Sequence, residues 1–210
     1  MALKQELKDQ GQFLFKYRSY LPLILLFIGL GIQYYQVYFE IFDSENQIQT
    51  ILIQSSLWVG LFGLLIRIIT VGYTPRNTSG RNTEKQVADE LNTKGLYSMI
   101  RNPLYLGNYF MWLCCAMLTG NLAFTLVFSL VFWIFYERIV YTEEDFLTGK
   151  FGETYLKWTE KTPPFLPKSL KFEKPDYSFS WKKVIKKEKN GLFALFLIIY
   201  IFEVIKEQSF

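Results

Sequence analysis

The chain alternates between long apolar runs and short, densely charged ones. From Leu21 to Phe42 only Glu40 is charged, with Pro22 at the entry, and from Thr50 to Val71 only Arg67 is charged. Between Pro103 and Tyr136 lie 34 residues with no charged side chain at all. As one helix that last run would extend about 51 Å, against the ~30 Å needed to cross a hydrocarbon core. Thr119-Gly120-Asn121 offers turn chemistry near its middle. The pattern therefore predicts a helical hairpin over about 103–118 and 121–141. A weaker apolar segment, Gly191–Phe202, has Glu203 close behind it and reads either as a fifth span, if extended to Ile205, or as an interfacial helix. The expected fold is all-α, a multi-pass transmembrane helical bundle of four to five spans.

Charge placement adds sidedness. Of the 23 basic residues, 20 fall in three places: before the first span, between Arg76 and Arg101, and between Lys150 and Lys189. The alternate loops 43–49 and 119–121 hold none. By the positive-inside rule, residues 1–18, 73–102 and 142–190 are expected to be cytoplasmic. The first apolar run is of spanning length and lacks a small-residue cleavage site, so no cleavable leader is expected. Three regions follow: 1–72 with spans one and two, 73–167 with the hairpin and the candidate chemistry, and 168–210 as a basic segment ending in the weak apolar run.

Histidine is absent, which removes Ser-His-Asp hydrolysis, His-ligated zinc or haem and any His general base. The only cysteines, Cys114 and Cys115, are neighbours inside an apolar run and read as small buried residues. Arg67 and Arg138 fall near the cytoplasmic ends of their spans, where each either snorkels to the headgroups or meets an anionic group of a lipid or cofactor. The lysines of 168–189 read as a basic segment attracted to anionic headgroups.

Three polar stretches invite closer attention. Thr78–Thr83 is a polar loop, followed by Glu84–Leu91 as a short surface helix; the whole is either a connector or a lid. In Gly95–Gly107, Asn102 followed by Pro103 is a good helix start, and the amides there, next to Arg101, would suit an anion. In Glu137–Leu147 the carboxylates Glu143 and Glu144 oppose the positive-inside trend. If the helix stops there, they also oppose its macrodipole. They are either solvated surface acids or partners of Arg101, Arg138 or a cationic ligand.

The order R-N-P-x-Y-x-G from Arg101 to Gly107, an apolar hairpin, E-E-x-x-L from Glu143 to Leu147, F-G-x-x-Y and P-P-F-L-P resembles the isoprenylcysteine carboxyl methyltransferase family. That family belongs to a wider group with the phospholipid methyltransferases, which share R-H-P-x-Y, an apolar stretch and E-E. The resemblance covers about Gly95–Pro167; spans one and two fit by topology. It implies an integral-membrane methyltransferase using S-adenosylmethionine, with a pocket between the two motifs and the hairpin that opens to the cytoplasm. The acceptor would be a lipid or lipidated molecule arriving from the membrane; no metal and no nucleic acid is implied. Matched residue by residue, Arg101, Asn102, Pro103, Tyr105, Glu143, Glu144 and Leu147 would bind the cofactor, and Arg101, Asn102, Tyr105 and Glu144 would serve catalysis. The chain departs from the pattern in two places: Asn102 stands where the family has histidine, and residues 168–210 lie beyond the usual family end.

Methyl transfer from a sulfonium is an in-line displacement governed by positioning and electrostatics. An ionised carboxylate or phosphate acceptor needs no general base, so a site without histidine favours an anionic oxygen. Two other readings stay open: an NADPH-dependent membrane lipid or sterol reductase, and a catalytically degenerate lipid-binding membrane protein, the latter motivated by Asn102.

Overall fold

A computed structural model describes residues 3–41, 46–74, 86 and 88–207. Among them are seven α-helices and one 3-10 turn: α1 Leu3–Tyr17, α2 Tyr20–Tyr38, α3 Gln47–Tyr73, the turn Leu96–Ser98, α4 Pro103–Met117, α5 Leu122–Phe151, α6 Glu153–Lys161 and α7 Trp181–Glu207. The polar loop Thr78–Thr83 lies outside the described residues. The surface helix expected over Glu84–Leu91 lies partly outside them, and its described residues 86 and 88–91 are not helical.

Three of the helices described, α2, α3 and α5, are long and apolar enough to cross a membrane. Their outward faces carry large aromatics such as Phe27 and Trp58, 70% and 72% exposed, which suits contact with lipid tails. The first arm of the expected hairpin is shorter than a crossing: α4 has 15 residues, a rise of about 22 Å. Its turn falls where Thr119-Gly120-Asn121 predicts it. Gly120 takes φ 63°, and the Asn121 side chain accepts from Phe124 N at 2.9 Å to start α5. Asn46 opens α3 in the same way, accepting from Ile48 N and Gln49 N at 3.1 and 3.2 Å.

The tightest packing is α3 on α4. A Cβ on Gly63 would lie 2.6 Å from the Gly107 carbonyl oxygen, so only glycine lets these backbones approach so closely. α1 lies along α5 and delivers Phe15 to an aromatic core of Phe124, Phe128, Phe132 and Tyr136. The terminal helix α7 is longer than the apolar segment 191–202 alone predicts. It begins at Trp181 and inserts Leu195, Ile198 and Phe202 beside Cys114, Cys115 and Leu118. Both cysteines are buried and free, as their apolar context predicts. The chain between α6 and α7 returns past the residue before the 3-10 turn and the end of α3. Gly95 N donates to Glu173 O at 2.9 Å, and Ser180 N to Gly72 O at 3.0 Å.

Candidate functional site

The Arg101-Asn102-Pro103 motif begins α4, with buried Pro103 in the first turn, where a missing N–H costs nothing. Asn102 does not cap this helix through its side chain, contrary to expectation. Its backbone, at φ −123° and ψ 53°, turns the carboxamide toward the returning chain, and Nδ2 donates to Pro164 O at 3.3 Å. The anion site expected from the neighbouring amides is also partly taken. Arg101 N donates to Pro163 O at 2.9 Å and Asn102 N to Pro164 O at 3.1 Å. The P-P-F-L-P segment therefore splints the R-N-P segment: prolines cannot donate, but their carbonyls accept well.

Glu143 and Glu144 are not at a helix terminus. α5 continues through them to Phe151, about two turns further, and ends at Gly152 with φ 53°. Their placement thus owes nothing to the macrodipole, which acts only within the last turn. What they have is partners. Glu144 Oε1 lies 3.4 Å from Arg101 Nε, with the side chains 28% and 17% exposed. Glu143 shares a side-chain hydrogen bond with Tyr105, whose hydroxyl donates, and the Tyr105 ring meets Tyr136 edge-on at 5.1 Å. Leu147 follows on the same helix face, half-buried. The structure so brings both motifs together.

The Arg101–Glu144 contact is close but not aligned as a hydrogen bond. Arg101 Nε, Glu144 Oε1 and the indole Nε1 of Trp158 are all buried without a hydrogen-bond partner. Among the described residues only four side-chain atoms are in that condition, and these are three of them. Two of them, Arg101 Nε and Glu144 Oε1, face each other at 3.4 Å. Trp158 packs on Tyr155 at 5.6 Å between ring centroids, and Tyr155 lies within electrostatic range of both Glu144 and Arg101. Burial raises the Tyr155 phenol well above its ordinary pKa, which keeps it a neutral hydroxyl. The same holds for Tyr97 in the 3-10 turn, which lies within electrostatic range of Glu143 and Arg67.

Arg67, Arg138 and Arg18 have fates that local sequence does not announce. Arg138 donates to Gln10 Oε1 at 2.8 Å and to its own helix at Ile134 O, so it ties α1 to α5 rather than pairing with the acids. Arg67 pairs with Glu188, 121 residues away, at 2.7 and 2.8 Å. Arg18, at the α1–α2 junction, lies over the Phe15 ring and within electrostatic range of Glu143, Tyr105 and Tyr136. Sequence reasoning counted Arg18 only as a marker of sidedness. Asn108 and Tyr136 also went unmarked, although Asn108 stands one turn after Tyr105 and Tyr136 two turns before Glu143.

Helices of this length and hydropathy around a partly closed acid–arginine cluster define a multi-pass helical membrane protein with a polar site among its helices. Residues 55–154, which hold the hairpin and both motifs, match the phospholipid methyltransferase family. The chain is 42% identical over 76 residues to the protein-S-isoprenylcysteine O-methyltransferase of Schizosaccharomyces pombe, covering 36% of this chain and 32% of that one. It is 31% identical over 112 residues to the cobalt-zinc-cadmium resistance protein CzcN of Cupriavidus metallidurans, covering 53% and 49%. It is 30% identical over 128 residues to the protein-S-isoprenylcysteine O-methyltransferase of Xenopus laevis, covering 55% and 44%. The chain thus spans between a third and a half of the length of these relatives. No solved structure matches it. Through residues 55–154 the chain is thus similar to the phospholipid methyltransferase family, and over part of their length to isoprenylcysteine O-methyltransferases.

Proposed function

We propose that this protein is an S-adenosylmethionine-dependent methyltransferase that O-methylates a carboxylate or phosphate on a membrane-embedded lipid or lipidated acceptor, with its site facing the cytoplasm. One observation carries the reading: Arg101 Nε and Glu144 Oε1, both buried and without hydrogen-bond partners, face each other at 3.4 Å where the two motifs meet. A buried polar atom left unsatisfied costs about 1–3 kcal/mol, so a facing pair of them is better explained by a ligand than by folding. The pair fits S-adenosylmethionine, which presents a carboxylate to a guanidinium and an ammonium and ribose hydroxyls to a carboxylate.

When bound, that cofactor supplies an electrophilic methyl group on a sulfonium. The chain's residues then bind and orient. Arg101 and Glu144 hold the cofactor's charged groups, and Pro103 and Leu147 line it. Asn102, splinted by Pro164, keeps a carboxamide oxygen free to accept. Tyr105 holds Glu143 in place by its hydroxyl, and Arg18 adds positive charge within electrostatic range of Glu143. A carboxylate acceptor is ionised above about pH 5 and needs no base, in keeping with a chain that has no histidine. The names of the isoprenylcysteine relatives support a lipidated carboxylate in particular.

Incubating membranes that contain the protein with methyl-labelled S-adenosylmethionine, followed by lipid and protein extraction, tests this. The expected product releases labelled methanol on alkaline treatment, as a carboxyl methyl ester does. A phosphate ester would hydrolyse more slowly and keep its label with the phosphate. Label confined to N-methylated headgroups would defeat the anionic-oxygen reading, and no labelled product at all would defeat the enzyme reading.

A further inference from the structure

The polar contacts of the candidate site do not stop at Glu143. Tyr105, bonded to Glu143, meets Tyr136 edge-on at 5.1 Å. Tyr136 hydrogen-bonds Asn108, one turn along α4 from Tyr105. The Asn108 carboxamide oxygen accepts from Arg67 Nη1 on α3. Arg67 then donates through Nε and Nη2 to the two oxygens of Glu188 on α7, at 2.7 and 2.8 Å. One unbroken series of contacts therefore joins α7, α3, α4 and α5. Its far end, Glu188, is 4% exposed and lies outside the family-matched residues 55–154.

Neutralising Arg67 alone would not require this arrangement. An arginine near the end of a span can snorkel to the headgroups. Arg67 instead crosses the face of α4, pressed against Gly107, where a Cβ would lie 2.6 Å from the arginine Cγ. The glycine that closes R-N-P-x-Y-x-G is thus the residue that gives the arginine its passage. A two-point pairing also fixes the plane of the guanidinium, which a single contact cannot do. With Nε and Nη2 held by Glu188, Nη1 is aimed at Asn108.

We propose that Glu188 is a positioning residue. By fixing the Arg67 guanidinium it holds Asn108 and Tyr136, and through them presents Tyr105 to Glu143. Its consequence for rate rests on the methyltransferase reading; the coupling between the helices does not.

The test uses full-length protein in lipid nanodiscs: wild type, Glu188→Gln, Glu188→Asp, Asn108→Ala, the Glu188→Gln/Asn108→Ala double variant, and Glu203→Gln as an exposed control on α7. Glu188→Gln should bind one S-adenosylmethionine per chain and lose about tenfold in kcat, with acceptor KM little changed. The double variant should be no slower than Asn108→Ala alone, because both changes break one series. Glu188→Asp keeps the charge and should recover part of the rate, and Glu203→Gln should match wild type. Wild-type kcat per bound cofactor in Glu188→Gln, or additive losses in the double variant, would overturn the proposal, since a merely structural residue behaves that way. Amide hydrogen exchange reads the coupling without activity. Amides 106–111 of α4 should exchange faster in Glu188→Gln, and unchanged protection there would overturn the proposal. Should wild type transfer no methyl group while exchange shows the coupling, the methyltransferase reading fails and the contact series stands.

Discussion

Arg67–Glu188 and Arg101–Glu144 use the same two side-chain types, yet one pair is closed and the other open. Glu188 receives two aligned hydrogen bonds at 2.7 and 2.8 Å, and the remaining arginine nitrogen is engaged by Asn108. Glu144 and Arg101 approach only to 3.4 Å, and the facing atoms lack hydrogen bonds altogether. The closed pair has every guanidinium nitrogen and both carboxylate oxygens engaged within the protein, which holds α7, α3 and α4 in register. The open pair keeps its capacity in a buried place, where folding alone would have eliminated it. A pair's usefulness for binding is therefore read from what it leaves unsatisfied rather than from its charges.

The largest expected effect lies on the closed side. Glu188→Ala leaves the part-buried Arg67 guanidinium without its carboxylate and should destabilise the protein by about 3 kcal/mol, seen as a clear fall in Tm in detergent or nanodiscs. An unchanged melt would mean that the pair is not what holds α7. On the open side, Glu144→Gln removes charge from a contact that is not aligned, and stability should change by no more than about 1 kcal/mol. A large fall in Tm there would make the two pairs equivalent and erase the distinction.

Much of this arrangement was legible beforehand, and the rest was hidden for definite reasons. Spans α2, α3 and α5 follow from apolar runs, and the hairpin turn follows from Thr119-Gly120-Asn121. Arg101, which Glu144 meets, is one of three partners that the sequence offers the acids. The end of the apolar run suggests an arm of 121–141, yet nothing between Thr142 and Thr148 breaks a helix, and the stop signal, Gly152, lies past the motif. Arg67 finds Glu188 across 121 residues, and no local period records a contact of that range. Asn102 was read as a cap from its residue type and position. Its backbone angles, which the returning prolines impose, decide otherwise.

That last point yields the smallest effect. Because the Asn102 side chain makes only one bond, at 3.3 Å, Asn102→Ala should cost at most about 1 kcal/mol in a thermal melt. A loss near 2 kcal/mol would restore the capping role that the geometry denies.

The central claim is that the open pair is the cofactor's seat. Isothermal titration of S-adenosylmethionine into wild type and Glu144→Gln, both with melts in hand, addresses it most directly. Wild type should bind one equivalent, and the variant should bind it more weakly by about 1–3 kcal/mol, the value of a charged hydrogen bond, with its Tm essentially unchanged. Equal affinity in the two proteins, or no binding by wild type, would contradict the account.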